Sequence, residues 1–95
     1  MATYYIAAHA IKDAEKFEQY RVAAAQTIAD FGGRYITQAG TLEVLFGQWL
    51  PDRVVIVEFD DRTAFRAWYD SPEYQSLVEL RVNAADDSIM VIDRL

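Results

Sequence analysis

Eight side chains of this sequence have the chemistry to hold or transform a small molecule: His9, Tyr20, Arg34, Glu58, Trp68, Tyr69, Tyr74 and Arg81. His9 is the only histidine. An imidazole titrates near neutral pH and can act as a general base, although a lone strand histidine also serves as a hydrogen-bonded structural group. One histidine with no cysteine beside it cannot assemble a two-histidine or thiolate site, so no metal centre is expected. Glu58 interrupts the most continuously apolar segment of the chain. A carboxylate there either forms an ion pair with Arg34, Arg81 or His9, or stands in a cavity as a second candidate base. Arg81 has the fork to hold a carboxylate or an enolate, and Arg34 opens a predicted strand beside a glycine corner. Tyr20, Trp68, Tyr69 and Tyr74 offer flat apolar surface with polar tips, either as ordinary core or as the lining of a ligand pocket.

Three of these aromatics fall within Trp68-Tyr69-Asp70-Ser71-Pro72-Glu73-Tyr74. Ser71 precedes a proline and is pushed out of the helical region, so a helix arriving from Phe65 stops near Asp70. Pro72 suits the first position of a new helix, Ser71 its N-cap, and Glu73 the positive end of its dipole. The stretch therefore reads as helix, corner, helix, with rings on both sides of the corner.

Trp68-Tyr69-Asp70-Ser71-Pro72-Glu73-Tyr74-Gln75 resembles the signature of a small family known as domain of unknown function thirteen-thirty. The likeness extends to Tyr20, the Gly32-Gly33-Arg34 corner, Val55 to Phe59, and Arg81, and so covers nearly the whole chain. What it implies is a dimeric α+β barrel with a ferredoxin-like βαββαβ core; the family carries no agreed activity. The barrel superfamily that the chain resembles includes quinone-forming monooxygenases and lactone isomerases that work without a cofactor, and some haem binders. Beyond His9 nothing in the sequence points to haem, and no cofactor is expected. The chain departs from the family pattern at Phe46-Gly47, where an acidic residue before the glycine would be expected. No role of that acid is carried over.

The elements that must position these residues follow from hydrophobic spacing. Thr3 to Ile11 alternates Tyr4, Ile6, Ala8 and Ala10 against Tyr5, Ala7, His9 and Ile11, a strand apolar on both faces. Asp13 caps a helix over Ala14 to Phe31, in which Phe17, Tyr20, Ala24, Ile28 and Phe31 recur at helical spacing. Gly32 or Gly33 ends it in the left-handed conformation; a helix cap explains the glycine pair better than a phosphate loop does. Arg34 to Gly40 is a second strand, which Thr41 to Phe46 could extend past a bend. The apolar stretch from Leu42 to Leu50 reads as an arm laid over a partner subunit, or as an edge hairpin folded on its own core. Arg53 to Phe59 is a third, central strand. Asp60 or Asp61 caps a helix to about Tyr69, one further helix runs from Pro72 toward Asp86, and Ser88 to Leu95 is the last strand. The order is a split βαβ pattern, which predicts an α+β fold: a four-stranded antiparallel sheet with every helix on one face.

Composition bounds the rest. Residues 1–95 suffice for one domain. Hydrophobic residues make up 53%, above the usual ~45–50%, and the surplus needs a place to be buried. Helices cover one sheet face, yet the first and third strands are apolar on both. A bare apolar face of that size is uncommon on a soluble monomer, so a two-fold homodimer through sheet faces is expected. The net charge is −6 and no basic cluster is present, which argues against nucleic acid and anionic membranes as partners. No run approaches the ~20 apolar residues that span a bilayer, and the N-terminus does not read as a signal peptide; a cytoplasmic protein is expected. No nucleophile elbow, P-loop, dinucleotide fingerprint or zinc helix is present. Three functions remain: a dimer that binds a small organic ligand in an aromatic-lined gap between helices and sheet, a cofactor-free enzyme with His9 or Glu58 as base, or a purely structural dimer.

Overall fold

Strand alternation, two aspartate caps and a glycine corner account for most of the architecture seen in the computed structural model, which describes residues 1–95. The elements are β1 (Thr3–Ile11), α1 (Ala14–Asp30), β2 (Arg34–Thr37), β3 (Arg53–Phe59), α2 (Arg62–Tyr69), α3 (Pro72–Gln75), α4 (Val78–Ala84) and β4 (Ala85–Asp93). The strands form one antiparallel sheet in the order β2-β3-β1-β4, with the helices on one face. The two strands that are apolar on both sides, β1 and β3, lie in the centre as their composition requires.

Asp13 and Asp61 cap α1 and α2 by accepting from the backbone N–H groups of Lys16 and Ala64. Ser71 caps α3 in the same way, accepting from Tyr74 N, and donates its own proton to the carbonyl of Trp68. Gly32 closes α1 at φ +81°. Gly33 is required for space instead: a Cβ there would lie 2.7 Å from Ile28 Cγ2 and 2.9 Å from the Phe59 ring.

Several boundaries differ from the sequence expectation. The second strand is four residues long, because a register irregularity between Tyr35 and Thr37 releases the chain from the sheet. Thr41 to Phe46 is not strand, and the segment 38–52 is irregular. The helix after Pro72 is broken at Ser76 and Leu77, where Ser76 Oγ bonds the carbonyl of Glu73 and Leu77 N turns back to Tyr74 O. The last strand starts at Ala85, not Ser88, because the acidic pair Asp86-Asp87 pairs with Ala10 and His9 of β1.

The core lies between helices and sheet. Phe17, Tyr20, Ala24 and Ile28 of α1, Phe65 and Trp68 of α2, and Tyr74 of α3 pack on Tyr5, Ala7, Val57 and Phe59. Trp68 is fully buried, stacked on Phe59 at 5.4 Å and 4.3 Å from the Tyr74 ring, with its indole N–H donated to Thr27 Oγ1. The opposite face carries Ile36, Met90 and Ile92 in the open. In the 38–52 segment Leu45 and Phe46 are 86% and 97% exposed.

Candidate functional site

His9 stands opposite Asp87 in the β1–β4 ladder, and its Nδ1 lies 2.5 Å from Asp87 Oδ1. A carboxylate only accepts, so Nδ1 carries the proton. The other ring nitrogen, Nε2, makes no hydrogen bond within the chain and is left with a lone pair. Arg81 Nε donates to the second oxygen, Asp87 Oδ2, at 3.1 Å, and both side chains are nearly sealed from solvent. Arg81 Nη1 donates onward to the hydroxyl of Tyr74 at 2.7 Å, and that hydroxyl lies 2.8 Å from the hydroxyl of Tyr20. The result is one continuous polar chain through the core: imidazole, carboxylate, guanidinium, two phenols.

Tyr5 adds a third phenol. Its hydroxyl is buried beside Tyr20 and Tyr74 and has no hydrogen-bond partner. Three phenolic protons therefore converge where the chain itself provides one phenol-to-phenol contact, which leaves donor capacity unspent in a buried place. Unsatisfied buried donors are uncommon and call for a partner.

A cavity opens against this cluster on the helix side of the sheet. Tyr5, His9, Phe17, Tyr20, Tyr35 and Val55 form its walls, with Arg21, Gln38 and Arg53 toward its mouth. Its volume is about 30 Å³. That suits one or two water molecules; anything larger must move the long side chains at the rim. No group of three or more His, Cys, Asp or Glu side chains is placed to hold a metal ion.

The sequence pattern described as "Domain of unknown function (DUF1330)" matches residues 2–95. The chain belongs to this family. No curated protein matches it. Among solved structures, a protein of unknown function from Rhodopseudomonas palustris is similar at a TM-score of 0.81 and 20% identity, over 99% of this chain and 82% of that one. SnoaB, a cofactor-independent oxygenase from Streptomyces nogalater, is similar at a TM-score of 0.73 and 15% identity, over 99% and 93% of the two chains. A dimeric ferredoxin-like protein of unknown function from Thermobifida fusca follows at 0.68 and 17%, over 99% and 92%. At these identities the likeness is one of fold: the DUF1330 chain is an α+β, ferredoxin-like domain. No helix of it is long and apolar enough to cross a membrane.

Of the eight residues singled out in the DUF1330 sequence, His9, Tyr20, Tyr74 and Arg81 come together in the polar chain. Trp68 backs the cluster through its ring and does not reach the cavity; Tyr69 stacks on Phe65 at 5.5 Å and lines a separate surface groove with Ile89 and Met90. Arg34 and Glu58 lie elsewhere. They pair directly across β2 and β3 on the face the helices leave bare, at 3.0 Å, with Asp60 completing the ion pair. Sequence reasoning did not include Tyr5, Arg53 or Asp87. Asp87 is inward-facing in step with Ile89 and Val91, a signal visible only once the strand is begun at Ala85.

The electrostatics follow from burial. Desolvation lowers the His9 pKa from its ordinary value, and Arg81 and Arg53 add to this, while the hydrogen bond and charge of Asp87 pull the other way. The imidazole is therefore mostly neutral at pH 7. Burial, and then the neighbouring Tyr74, push Tyr20 well above the usual phenol range; burial does the same for Tyr5. Both phenols stay protonated and able to donate.

Proposed function

We propose that this DUF1330 protein is a homodimer that binds a small organic ligand in the cavity between α1 and the sheet, with His9, Tyr20, Tyr74 and Arg81 as its polar recognition set. The observation that carries the proposal is the buried chain from His9 to Tyr20, which ends at the cavity wall with a free imidazole nitrogen and surplus phenolic donors. A core needing only stability has no use for such a chain, since apolar packing of the same volume serves equally well. Trp68 supports it as the plate against which Tyr74 is pressed. Chemical-shift mapping with small planar aromatic compounds tests the idea. Shifts centred on Tyr5, His9, Tyr20 and Tyr35 are expected; shifts confined to the open sheet face would defeat it.

The dimer is assigned to the open sheet face. Ile36, Met90 and Ile92 are exposed there beside Tyr4, Ile6 and Ile56. A second copy is the simplest cover, and the Thermobifida fusca neighbour is itself described as dimeric. Light scattering should give twice 10.9 kDa, and Ile92→Lys should halve it. A wild-type particle of 10.9 kDa at micromolar concentration would sink the dimer.

A second reading is supported by the His9–Asp87 pair and by the cofactor-independent oxygenase among the structural neighbours. Neutral His9, oriented by Asp87, takes a proton at Nε2 from an acidic C–H or O–H of the ligand, and Tyr20 donates to the oxyanion that forms. Glu58 remains a candidate base only for chemistry on the other face. His9→Gln should lower turnover of a responsive aromatic or lactone substrate about 10²-fold or more. Unchanged turnover would remove His9 from the chemistry.

A further inference from the structure

A row of three ionisable side chains runs across the helix-facing side of the sheet. His9 on β1 is in register with Asp87 on β4 and with Arg53 on β3. Asp87 is already matched by Arg81. Arg53 is matched by nothing. Arg21, Arg34, Arg62, Arg66 and Arg81 each pair with a carboxylate; Arg53 and the exposed Arg94 do not, in a chain with 15 acidic and 9 basic residues. The chain neighbour of Arg53, Asp52, and the nearby Glu18 are engaged elsewhere. Asp52 accepts from the backbone N–H of Ile11, and Glu18 is bound by both nitrogens of the Arg21 fork.

Arg53 is half-buried at the cavity mouth, with its guanidinium over the face of the Phe17 ring at 5.4 Å. That contact holds the fork beside the opening and occupies none of its N–H donors. Behind it the walls are the flat rings of Tyr5, Phe17, Tyr20 and Tyr35. A planar fork at the rim and planar rings within are complementary to one class of molecule.

We infer that the ligand of this cavity, on the binding role proposed above, is a planar aromatic acid in its carboxylate form, held by Arg53. The carboxylate takes two N–H groups of the fork, and the ring enters between Tyr20 and Tyr35 as Arg21 and Gln38 swing clear of the mouth. Its far edge then meets the unbonded Nε2 of His9 and the surplus phenolic protons.

Binding of 2-naphthoate and of its neutral isostere 2-naphthamide, followed by amide shifts at pH 7.5, tests this. The acid should bind about 10-fold more tightly than the amide, as expected for a bidentate charge-assisted contact. Arg53→Gln should bring the two within about threefold by lowering acid affinity alone, and Arg53→Lys should keep part of the preference. The wild-type comparison requires no variant, so it stands whether or not Arg53→Gln folds. Equal binding of acid and amide, or an acid preference that survives in Arg53→Gln, would overturn the role of Arg53 and leave the ligand-binding role in place. No response at Tyr5, His9 and Tyr20 to either compound would overturn both.

Discussion

Asp87 receives His9 on one oxygen and Arg81 on the other, so a single buried carboxylate fixes both the imidazole and the guanidinium of the site. Replacing it with asparagine keeps the shape and removes the charge. Arg81 is then left as a buried cation without a counter-ion. Asp87→Asn should cost about 3 kcal/mol in denaturant-midpoint stability. A cost within error of zero would show that the charge is matched from elsewhere.

The histidine gives the protein a pH dependence with a definite sign. Burial holds the folded-state imidazole below its ordinary 6.5, despite the pull of Asp87. The unfolded chain therefore binds the proton more readily, and stability rises with pH where the unfolded form titrates. The contribution is fully present above about pH 6.5 and is lost as pH falls through the folded-state value. Urea unfolding between pH 7.5 and 5 should show this decline, and His9→Gln should flatten it. Glu18, held below 4.5 by Arg21, and Asp93, held below 3.8 by Thr3 and Arg62, act only at lower pH.

Tyr20 and Tyr74 share one hydrogen bond but not one importance. Tyr74 also accepts from Arg81, so Tyr74→Phe strands a buried guanidinium N–H as well as the Tyr20 hydroxyl. A loss of about 1–3 kcal/mol is expected. Tyr20→Phe leaves the Arg81 contact intact and should cost less, about 1 kcal/mol. Thermal melts of both variants and of the double variant should show strong non-additivity. The reverse ranking would mean that Arg81 finds another acceptor.

The glycine pair separates two physical demands. Gly32→Ala meets open space but a left-handed backbone, so it should cost about 1–2 kcal/mol. Gly32→Asn should be milder, because asparagine tolerates that conformation. Gly33→Ala meets Ile28 and the Phe59 ring and should cost about 1–3 kcal/mol, with asparagine worse than alanine. Matching asparagine-to-alanine rankings at the two positions would contradict this assignment.

What could be read from the residues, and what could not, divides along physical lines. The first and third strands, the first helix and the Ser71 corner were legible because each rests on local spacing or local capping. Asp87 was not, because Ala85-Asp86-Asp87-Ser88 has no strand composition of its own. It is strand because it pairs with β1, where His9, 78 residues away, meets its carboxylate, and Arg81 of the preceding helix takes the other oxygen. Glu58 illustrates a different limit. Alternation puts it on the face shared by Val54 and Ile56, but a strand apolar on both sides does not say which face the helices cover. Arg53 lay at the start of a strand with no mark of its own; only register makes it a neighbour of His9.

One residue joins the exposed 38–52 segment to all of this. Asp52 donates its N–H to the carbonyl of His9 and accepts from the N–H of Ile11, and the next residue is Arg53. The segment is thus bolted to the backbone of the imidazole and of its cationic neighbour at a common point. A partner that covered Phe46 or Trp49 would be tied, through Asp52, to the strand ends that carry the groups that would grip a guest.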